Sequence, residues 1–229
     1  MRLDKYLANA NLGSRKEVNK LIKKGEISVN GTIVKSPKTD VGYEDDIVYI
    51  DVPIVLEEFM YFMMNKPDGV ISSTEEGPTE TVIDLIAHPQ QGELFPVGRL
   101  DKDTVGLLFI TNDGKLAHQL LSPKNEYYKT YHVTLRDEVT ESDIEQLETG
   151  IDLKEFTTKP AKAELLNPHE VSLSITEGKF HQVKRMFLAI GNEVVKLKRT
   201  NFATLELDET LLEGEYRRLS EEEIKKLNN

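Results

Sequence analysis

The residues best placed to do chemistry lie in Gly98-Arg99-Leu100-Asp101-Lys102-Asp103-Thr104-Val105-Gly106-Leu107-Leu108. Asp101 stands between a turn-forming glycine and an apolar run, Val105 to Ile110, that reads as a buried strand. A carboxylate at the edge of such a strand must be solvated, paired or used, because an unpaired buried charge is very costly. Arg99 precedes it by two, so on extended backbone the two side chains share a face. Tyr131 lies in Lys129-Thr130-Tyr131, the start of a strand of β-branched and aromatic residues. In Gly178-Lys179-Phe180-His181-Gln182-Val183-Lys184-Arg185-Met186 a helix is expected. Val183, Phe187 and Ile190 would share one face of it, and His181, Lys184 and Leu188 another. Lys184 can then reach into a cleft while the helix is anchored behind it. Arg185 is the neighbouring candidate.

Taken singly, each has an ordinary structural explanation: a loop-capping Asp, a core aromatic, a solvated basic helix face. Asp101 and Asp103, two apart, could also begin a metal site. No third carboxylate or histidine stands at a ligand-like spacing nearby, and the five histidines (88, 118, 132, 169 and 181) are scattered. No metal is expected. A glycosidase-type pair would need carboxylates opposed across the bond, which same-face spacing does not provide.

The surrounding chain supplies the elements that must hold these groups. Leu3, Tyr6, Leu7 and Ala10 recur at helical spacing, and Asn11-Leu12-Gly13 breaks the pattern. Ser14 with Glu17 forms a capping box for a second helix, which Gly25 ends. Asn30-Gly31 between two short apolar runs signals a tight hairpin, and a further strand is expected over 46–51. Pro53 and Glu57-Glu58 interrupt the pattern as a linker before an apolar strand, Phe59 to Met64. Asn65-Lys66-Pro67-Asp68-Gly69 is a turn, Ser72 to Thr81 a polar loop of disordered appearance, and Val82–Ala87 a short helix ended by His88-Pro89. Further on, helices are expected after Asp113, from Thr140 to near Gly150, over 180–190 and after Ser220. Strands are expected at 129–133, 159–166, 170–176 and 193–200. The pattern is α+β, with a mixed, largely antiparallel sheet.

The 229 residues suffice for one large domain, or a small one with a medium one. No apolar run approaches the roughly 20 residues of a membrane span, and the charged start shows no signal peptide. Absence of cysteine fits the cytoplasm and excludes thiolate zinc sites and enzymes that attack uridine with a Cys nucleophile. A net charge of −11 argues against a general nucleic-acid coat, since phosphate affinity comes from Lys and Arg. The positive charge is nevertheless concentrated. Arg2, Lys5, Arg15, Lys16, Lys20, Lys23 and Lys24 stand against only Asp4 and Glu17, and a second basic stretch covers 179–199.

Gly-Arg-Leu-Asp, a short gap, then Thr-x-Gly-Leu-Leu closely resembles the catalytic motif of the pseudouridine synthases, in particular their ribosomal small-subunit branch. "NKP" and "GKFHQVKRM" resemble two further segments of that family. The resemblance implies that Asp101 is the indispensable catalytic carboxylate and that Tyr131 stacks on the target base and helps to move its proton. It implies that a basic residue of the last segment, Lys184 or Arg185, pairs with Asp101, and that Arg99 enters the RNA to displace the uridine. Leu100, Thr104 and Arg185 join Arg99 as expected substrate-binding residues. "RLDKYLA", "SRKEVNKLIKKGEISVNG" and "DDIVYI" resemble the S4 RNA-binding domain, implying that the seven cations at the N-terminus dock structured RNA.

The expectation is therefore an S4 domain of two helices and a short hairpin at 1–52, a linker at 53–58, and a catalytic domain of pseudouridine-synthase type at 59–229. The implied reaction breaks the N1–C1′ bond of uridine and rejoins C5 to C1′. Nothing is oxidised and no group enters or leaves, so no cofactor is called for. A basic neighbour favours the charged form of a carboxylate against desolvation. Attack at C1′, addition at C6 and removal of a C2′ proton all remain open as the step a single carboxylate performs. The implied substrate is small-subunit (16S) ribosomal RNA or a pre-ribosomal particle, at a uridine-516-type site, with the enzyme a cytoplasmic monomer. The alternatives are a synthase for large-subunit (23S) RNA and a non-catalytic RNA-binding or assembly factor.

Overall fold

The protein is described from a computed structural model covering residues 1–75 and 77–228. Glu76, inside the polar loop expected over 72–81, and Asn229 lie outside the described residues. The chain divides into two compact units, residues 1–60 with 87–94, and residues 61–86 with 95–229.

The first unit opens with helices α1 (Leu3–Asn9) and α2 (Arg15–Lys24), followed by short strands β1 (Ile27–Val29), β2 (Thr32–Ile33), β3 (Ile47–Tyr49) and β4 (Val52–Pro53). The strands form one antiparallel sheet in the order β2-β1-β3-β4. Ser14 and Glu17 make the expected reciprocal cap on α2. Asn30 and Gly31 take φ of 50° and 76°, the left-handed pair that a two-residue hairpin turn needs. Leu3, Tyr6 and Leu7 of α1 pack on Val18 and Ile22 of α2, and Ile27 and Ile47 of the sheet close the core.

The stretch read from sequence as a linker is partly structural. Leu56 is buried in this core, and its N–H donates to the Tyr6 hydroxyl at 3.1 Å. Residues 87–94, with a 3-10 turn at Gln91–Glu93, also belong to this unit. Gln90 holds Glu57 through both main-chain groups, at 2.8 and 3.0 Å.

The second unit contains strands β5 (Tyr61–Lys66), β6 (Phe95–Pro96), β7 (Thr104–Thr111), β8 (Lys129–Leu135), β9 (Lys162–Asn167), β10 (Glu170–Ile175), β11 (Val194–Phe202), β12 (Leu205–Glu206) and β13 (Tyr216–Arg218). Helices α3 (Gly114–Leu121), α4 (Glu141–Thr149), α5 (Gln182–Ala189) and α6 (Glu221–Leu227) are inserted between them. The sheet runs β13-β5-β7-β11-β8-β10-β9, with β12 added to β11 and β6 to β7. Among the described strand pairs only β7 and β11 are parallel, so the sheet is mixed and largely antiparallel. β7 is buried along its whole length, as its unbroken apolar run requires. Met63, Leu107 and Phe109 pack against Leu116 and Leu120 of α3, anchoring one face. No helix among the described residues is long and apolar enough to cross a membrane.

One expected helix is missing. Thr81 and Asp84 exchange the bonds of a helix cap, yet the chain makes only a turn over 82–85. Six residues before His88-Pro89 are too few to repay helix nucleation.

Candidate active site

Asp101 is fixed from both sides by backbone contacts. Gly98, at φ 77°, turns the chain in a conformation that favours glycine. Next, the Ser72 hydroxyl accepts from the Leu100 N–H and donates to the Leu100 carbonyl, both at 3.1 Å. Beyond Asp101, Lys66 at the end of β5 sends its buried ammonium to three main-chain carbonyls: Pro67 at 3.0 Å, Lys102 at 3.1 Å and Thr104 at 2.8 Å. Burial pushes the Lys66 ammonium down to about 8, with the carboxylates of Asp68, Asp103 and Asp101 pulling the other way. The loop carrying Asp101 is thus tied to a strand rather than free in solvent.

Gly106 sets the other wall. It lies at φ 100° against β11, where a Cβ would sit 2.3 Å from the Arg199 carbonyl oxygen. Only glycine lets β7 and β11 approach this closely. The approach brings Leu197 and Arg199 of β11 beside the cleft, with Tyr131 of β8 directly opposite Arg199 in the ladder.

Asp101 lines a small hollow of about 60 Å³ whose other walls include Thr104, Tyr131, Ile175, Leu197 and Lys184. Two larger hollows adjoin it, of about 330 and 660 Å³, and Arg99 and Gly178-Lys179 border all three. The Asp101 carboxylate meets two bases at a distance: Lys184 Nζ at 3.5 Å and His181 Nε2 at 3.6 Å. Lys184 makes its short contact, 2.5 Å, with the more exposed Asp103. That hydrogen bond, joined by the charges of Lys184 and His181, holds the Asp103 carboxyl below its ordinary value against the effect of partial burial. Lys184 therefore lies between two carboxylates, bonded to Asp103 and within ion-pair distance of Asp101.

Most of the residues singled out in the sequence converge here. Tyr131 is buried and forms part of the hollow's wall. Thr104 is buried too, and its hydroxyl has no hydrogen-bond partner among the described residues. Leu100 is buried beside it. Arg99 is exposed at the mouth. Arg185 does not join them. Its guanidinium turns to Glu155 and to the Leu153 carbonyl, because consecutive helical residues point about 100° apart. Of the two neighbours left open in the sequence, Lys184 is the one whose Nζ lies 3.5 Å from Asp101.

Four residues beside the site carry no site role in the sequence reading, although it places His181 on the Lys184 face and Lys66 in the "NKP" turn. His181, at φ 49°, sits in a conformation uncommon for a non-glycine residue, and its ring stacks on Phe180 with centroids 3.8 Å apart. Phe180 is 75% exposed beside the 660 Å³ hollow. Lys66 and Arg199 were passed over because a charged residue in a strand pattern normally reads as solvent-facing. The turn chemistry of "NKP" was the one available hint for Lys66, and no comparable hint marks Arg199.

In the first unit, Arg2, Lys5, Arg15, Lys16, Lys20, Lys23 and Lys24 are all exposed. Arg2 and Arg15 also clasp the buried Asp4, at 2.8 and 3.4 Å. Burial would raise that carboxyl, but the Arg2 hydrogen bond and the two guanidinium charges prevail and lower it. Lys5 extends from α1 and Lys16, Lys20, Lys23 and Lys24 from α2. Both helices have their apolar sides in the core, and the lysines so form cationic surface.

The RNA pseudouridylate synthase family profile matches residues 60–189, and the S4 domain profile matches residues 1–48. Along its whole length the chain is 48% identical to an uncharacterized RNA pseudouridine synthase of Bacillus subtilis, covering 100% of this chain and 98% of that one. It is 45% identical to the ribosomal small subunit pseudouridine synthase A of Haemophilus influenzae, with 99% of each covered. The enzyme of the same description from Escherichia coli K12 is 40% identical, with 98% of each covered. A crystal structure of a pseudouridylate synthase superposes with a TM-score of 0.72 at 43% identity, covering 99% of both chains.

Proposed function

The chain belongs to the RNA pseudouridylate synthase family, and from that premise we propose that it isomerises one uridine of small-subunit ribosomal RNA, at a uridine-516-type site, with Asp101 as the catalytic carboxylate. The observation that carries the reading is the Asp101 carboxylate itself, half-buried beside Tyr131 with Lys184 at 3.5 Å. Full-length likeness to enzymes described as small-subunit synthases supports the substrate.

The reaction moves no electrons to an acceptor. The N1–C1′ bond breaks, C5 bonds to C1′, and the C5 proton departs while N1 gains one. Every route open to a single carboxylate needs it charged and close to both ribose and base. Lys184, spanning Asp101 and Asp103, supplies positive charge without covering Asp101. The Tyr131 ring gives the base a flat wall. The Thr104 hydroxyl, unpartnered in the free protein, meets a polar group of the nucleoside. The hollow of about 60 Å³ is continuous with its two larger neighbours along Arg99 and Gly178-Lys179, and the base enters from that side. Arg99, exposed there with no ion pair among the described residues, swings aside and takes the space the uridine leaves in the helix. Extruding a base costs a few kcal/mol, which those contacts offset. The basic face of the first unit holds the folded RNA through phosphates.

Tritium release from 5-tritiated uridine tests this, using separate small- and large-subunit transcripts and partial particles. Wild type is expected to turn over on small-subunit RNA, and Asp101→Asn to lose at least about 10⁴-fold in rate while binding RNA as before. Release from large-subunit RNA alone would overturn the substrate. Retained binding without release from any substrate would overturn the activity.

A further inference from the structure

The hollow of about 330 Å³ next to the catalytic one has no part in the chemistry described above. Gly98, Leu121, Pro123, Lys129, Thr176 and Arg199 line it, and it borders the catalytic hollow along Arg99 and Tyr131. Its charge is one-sided. Arg99, Lys129, Lys159, Lys179 and Arg199 reach it against one lining carboxylate, Glu177. Lys159 is paired with Glu126 at 2.6 Å and Lys179 stands 3.8 Å from Glu177. That leaves Arg99, Lys129 and Arg199 as the cations without a carboxylate among the described residues. Glu177 is already engaged, accepting from the Lys159 N–H at 2.9 Å and from Gln182 Nε2 at 3.0 Å.

Arg199 is the anomaly. It is 2% exposed, its Nε donates to the Leu107 carbonyl at 2.8 Å, and its plane lies over the Phe202 ring. Its Nη2 has no hydrogen-bond partner among the described residues, and no ion pair with a carboxylate is made. Buried cations are ordinarily paired, because removing an ion from water costs several kcal/mol. Lys129 beside it is also half-buried, reaching only two carbonyls at 3.4 Å. Arg199 also interacts with the Tyr131 hydroxyl, so its charge is held by neutral groups alone. Two cations without a carboxylate in one concavity mark a place for an anion. An anion alone does not account for the opposite wall, where the Leu121 side chain, 43% exposed, and Pro123 form an apolar surface. The volume is that of a small-ligand pocket. Apolar wall, cationic floor and this volume together fit a nucleotide, base on one side and phosphate on the other.

We propose that this hollow receives the nucleotide flanking the target uridine, its base against Leu121 and Pro123 and its phosphodiester toward Lys129 and Arg199. The inference rests on the reading that the substrate is RNA. A base extruded into the catalytic hollow deprives its neighbour of a stacking partner, and the adjoining hollow is within one nucleotide's reach. The second nucleotide then helps to hold the first out of the helix.

The test measures affinity for a fluorescent small-subunit ribosomal transcript by anisotropy, across a range of salt, with tritium release followed in parallel. Leu121→Trp fills the apolar side and is expected to raise Kd about 10-fold. Lys129→Gln removes one phosphate contact, and the slope of log Kd against log salt is expected to fall by about 0.7–0.9. Leu165→Trp, an exposed leucine on β9 outside the cleft, is expected to bind as wild type, and melting curves check that all three fold. Wild-type affinity and slope in both Leu121→Trp and Lys129→Gln would overturn the proposal. A reduced slope with no effect of Leu121→Trp would mean that phosphate enters without a base, and would overturn it as well. Both effects on binding without tritium release from any RNA would remove the proposed reaction and, with it, the target uridine, overturning the flanking assignment and leaving only an RNA nucleotide site in this hollow.

Discussion

Around Arg217, on β13, every nitrogen of the guanidinium donates: Nε to Asp208 at 2.6 Å, Nη1 and Nη2 to the two oxygens of Glu223 at 2.9 and 2.8 Å, and Nη1 also to the Arg218 carbonyl at 3.0 Å. Around Asp101, a carboxylate of similar exposure, the nearest basic nitrogens, of Lys184 and His181, stand at 3.5 and 3.6 Å. The adjoining Arg199 keeps an unpartnered nitrogen among the described residues, and the Thr104 hydroxyl is in the same position. Bidentate, charge-assisted bonds are the strong ones, and the Arg217 cluster spends them on joining β13 to the start of α6. Beside Asp101 the one short bond of this kind goes from Lys184 to Asp103 at 2.5 Å, and Asp101 itself receives none. Groups that a substrate must complete cannot already be satisfied, so the free protein carries a local cost that binding relieves. Closed and open charge networks are thus recognisable by their distances.

The contrast is tested most severely at Lys184. If its task is to balance Asp101 in the working enzyme, Lys184→Met should lower kcat/KM about 10²-fold, the scale of losing one preorganised electrostatic partner. Lys184→Arg should restore part of it, and Tm should move by no more than a degree or two. A large loss of stability with little loss of rate would make Lys184 a member of the closed class.

Lys66 lies between the two classes, being fully bonded yet tied to the loop that carries Asp101. In Lys66→Met the burial cost of an ammonium disappears while three carbonyls lose their donor, two terms that oppose each other. The rate is therefore expected to fall about 10-fold, with KM for RNA unchanged and Tm altered less than in a simple core mutant. The Lys66 ammonium, pushed to about 8, supplies a second readout. As pH rises through about 8, one of its three donors is lost and the loop loosens. Wild-type kcat should show a declining alkaline limb near pH 8 that is absent in Lys66→Met. For stability the sign is opposite. The unfolded chain binds this proton up to about 10.5, so the contribution of Lys66 is lost as pH falls through 8 and complete only above the unfolded value. An unchanged alkaline limb in the variant would detach Lys66 from the catalytic loop.

Local grammar made much of this legible in the sequence. The reciprocal caps at Ser14 and Ser220, the Asn30-Gly31 hairpin and the buried strand after Asp101 depend on neighbours within a few residues. Asp101, Tyr131, Lys184, Arg99, Leu100 and Thr104 fall in motif-bearing segments and meet in space. What could not be read depends on distant partners. Arg185 is drawn off by Glu155, thirty positions away. Arg199 is buried only because Gly106, far earlier in the chain, lets β11 come close. Residues 87–94 follow the turn over 82–85 yet belong to the first unit, which no local pattern announces. The Val82–Ala87 helix failed for the converse reason, a correct cap with too little chain behind it.

The smallest effect on activity is expected at Arg217 itself, and the outcome there decides whether a closed network is structural only. Its hydrogen bonds, with those from Thr210 and Ser220, hold Asp208 and Glu223 each at about 2. Both are depressed, so their contribution is present above the ordinary carboxylate range and is lost as pH falls through about 2. Arg217→Met should leave tritium release at pH 7 within about two-fold of wild type. It should cost about 1 kcal/mol at that pH, the cluster being partly exposed to solvent, which is roughly 2–4 °C in Tm. The difference between the two melting curves should narrow as pH is taken from 4.5 towards 2, because the unfolded chain then takes up both protons while the folded wild type resists until about 2. A gap that persists at pH 2 would show that Arg217 stabilises through the packing of its stem and not through charge. A fall in activity larger than the fall in stability would remove the distinction between the two clusters altogether.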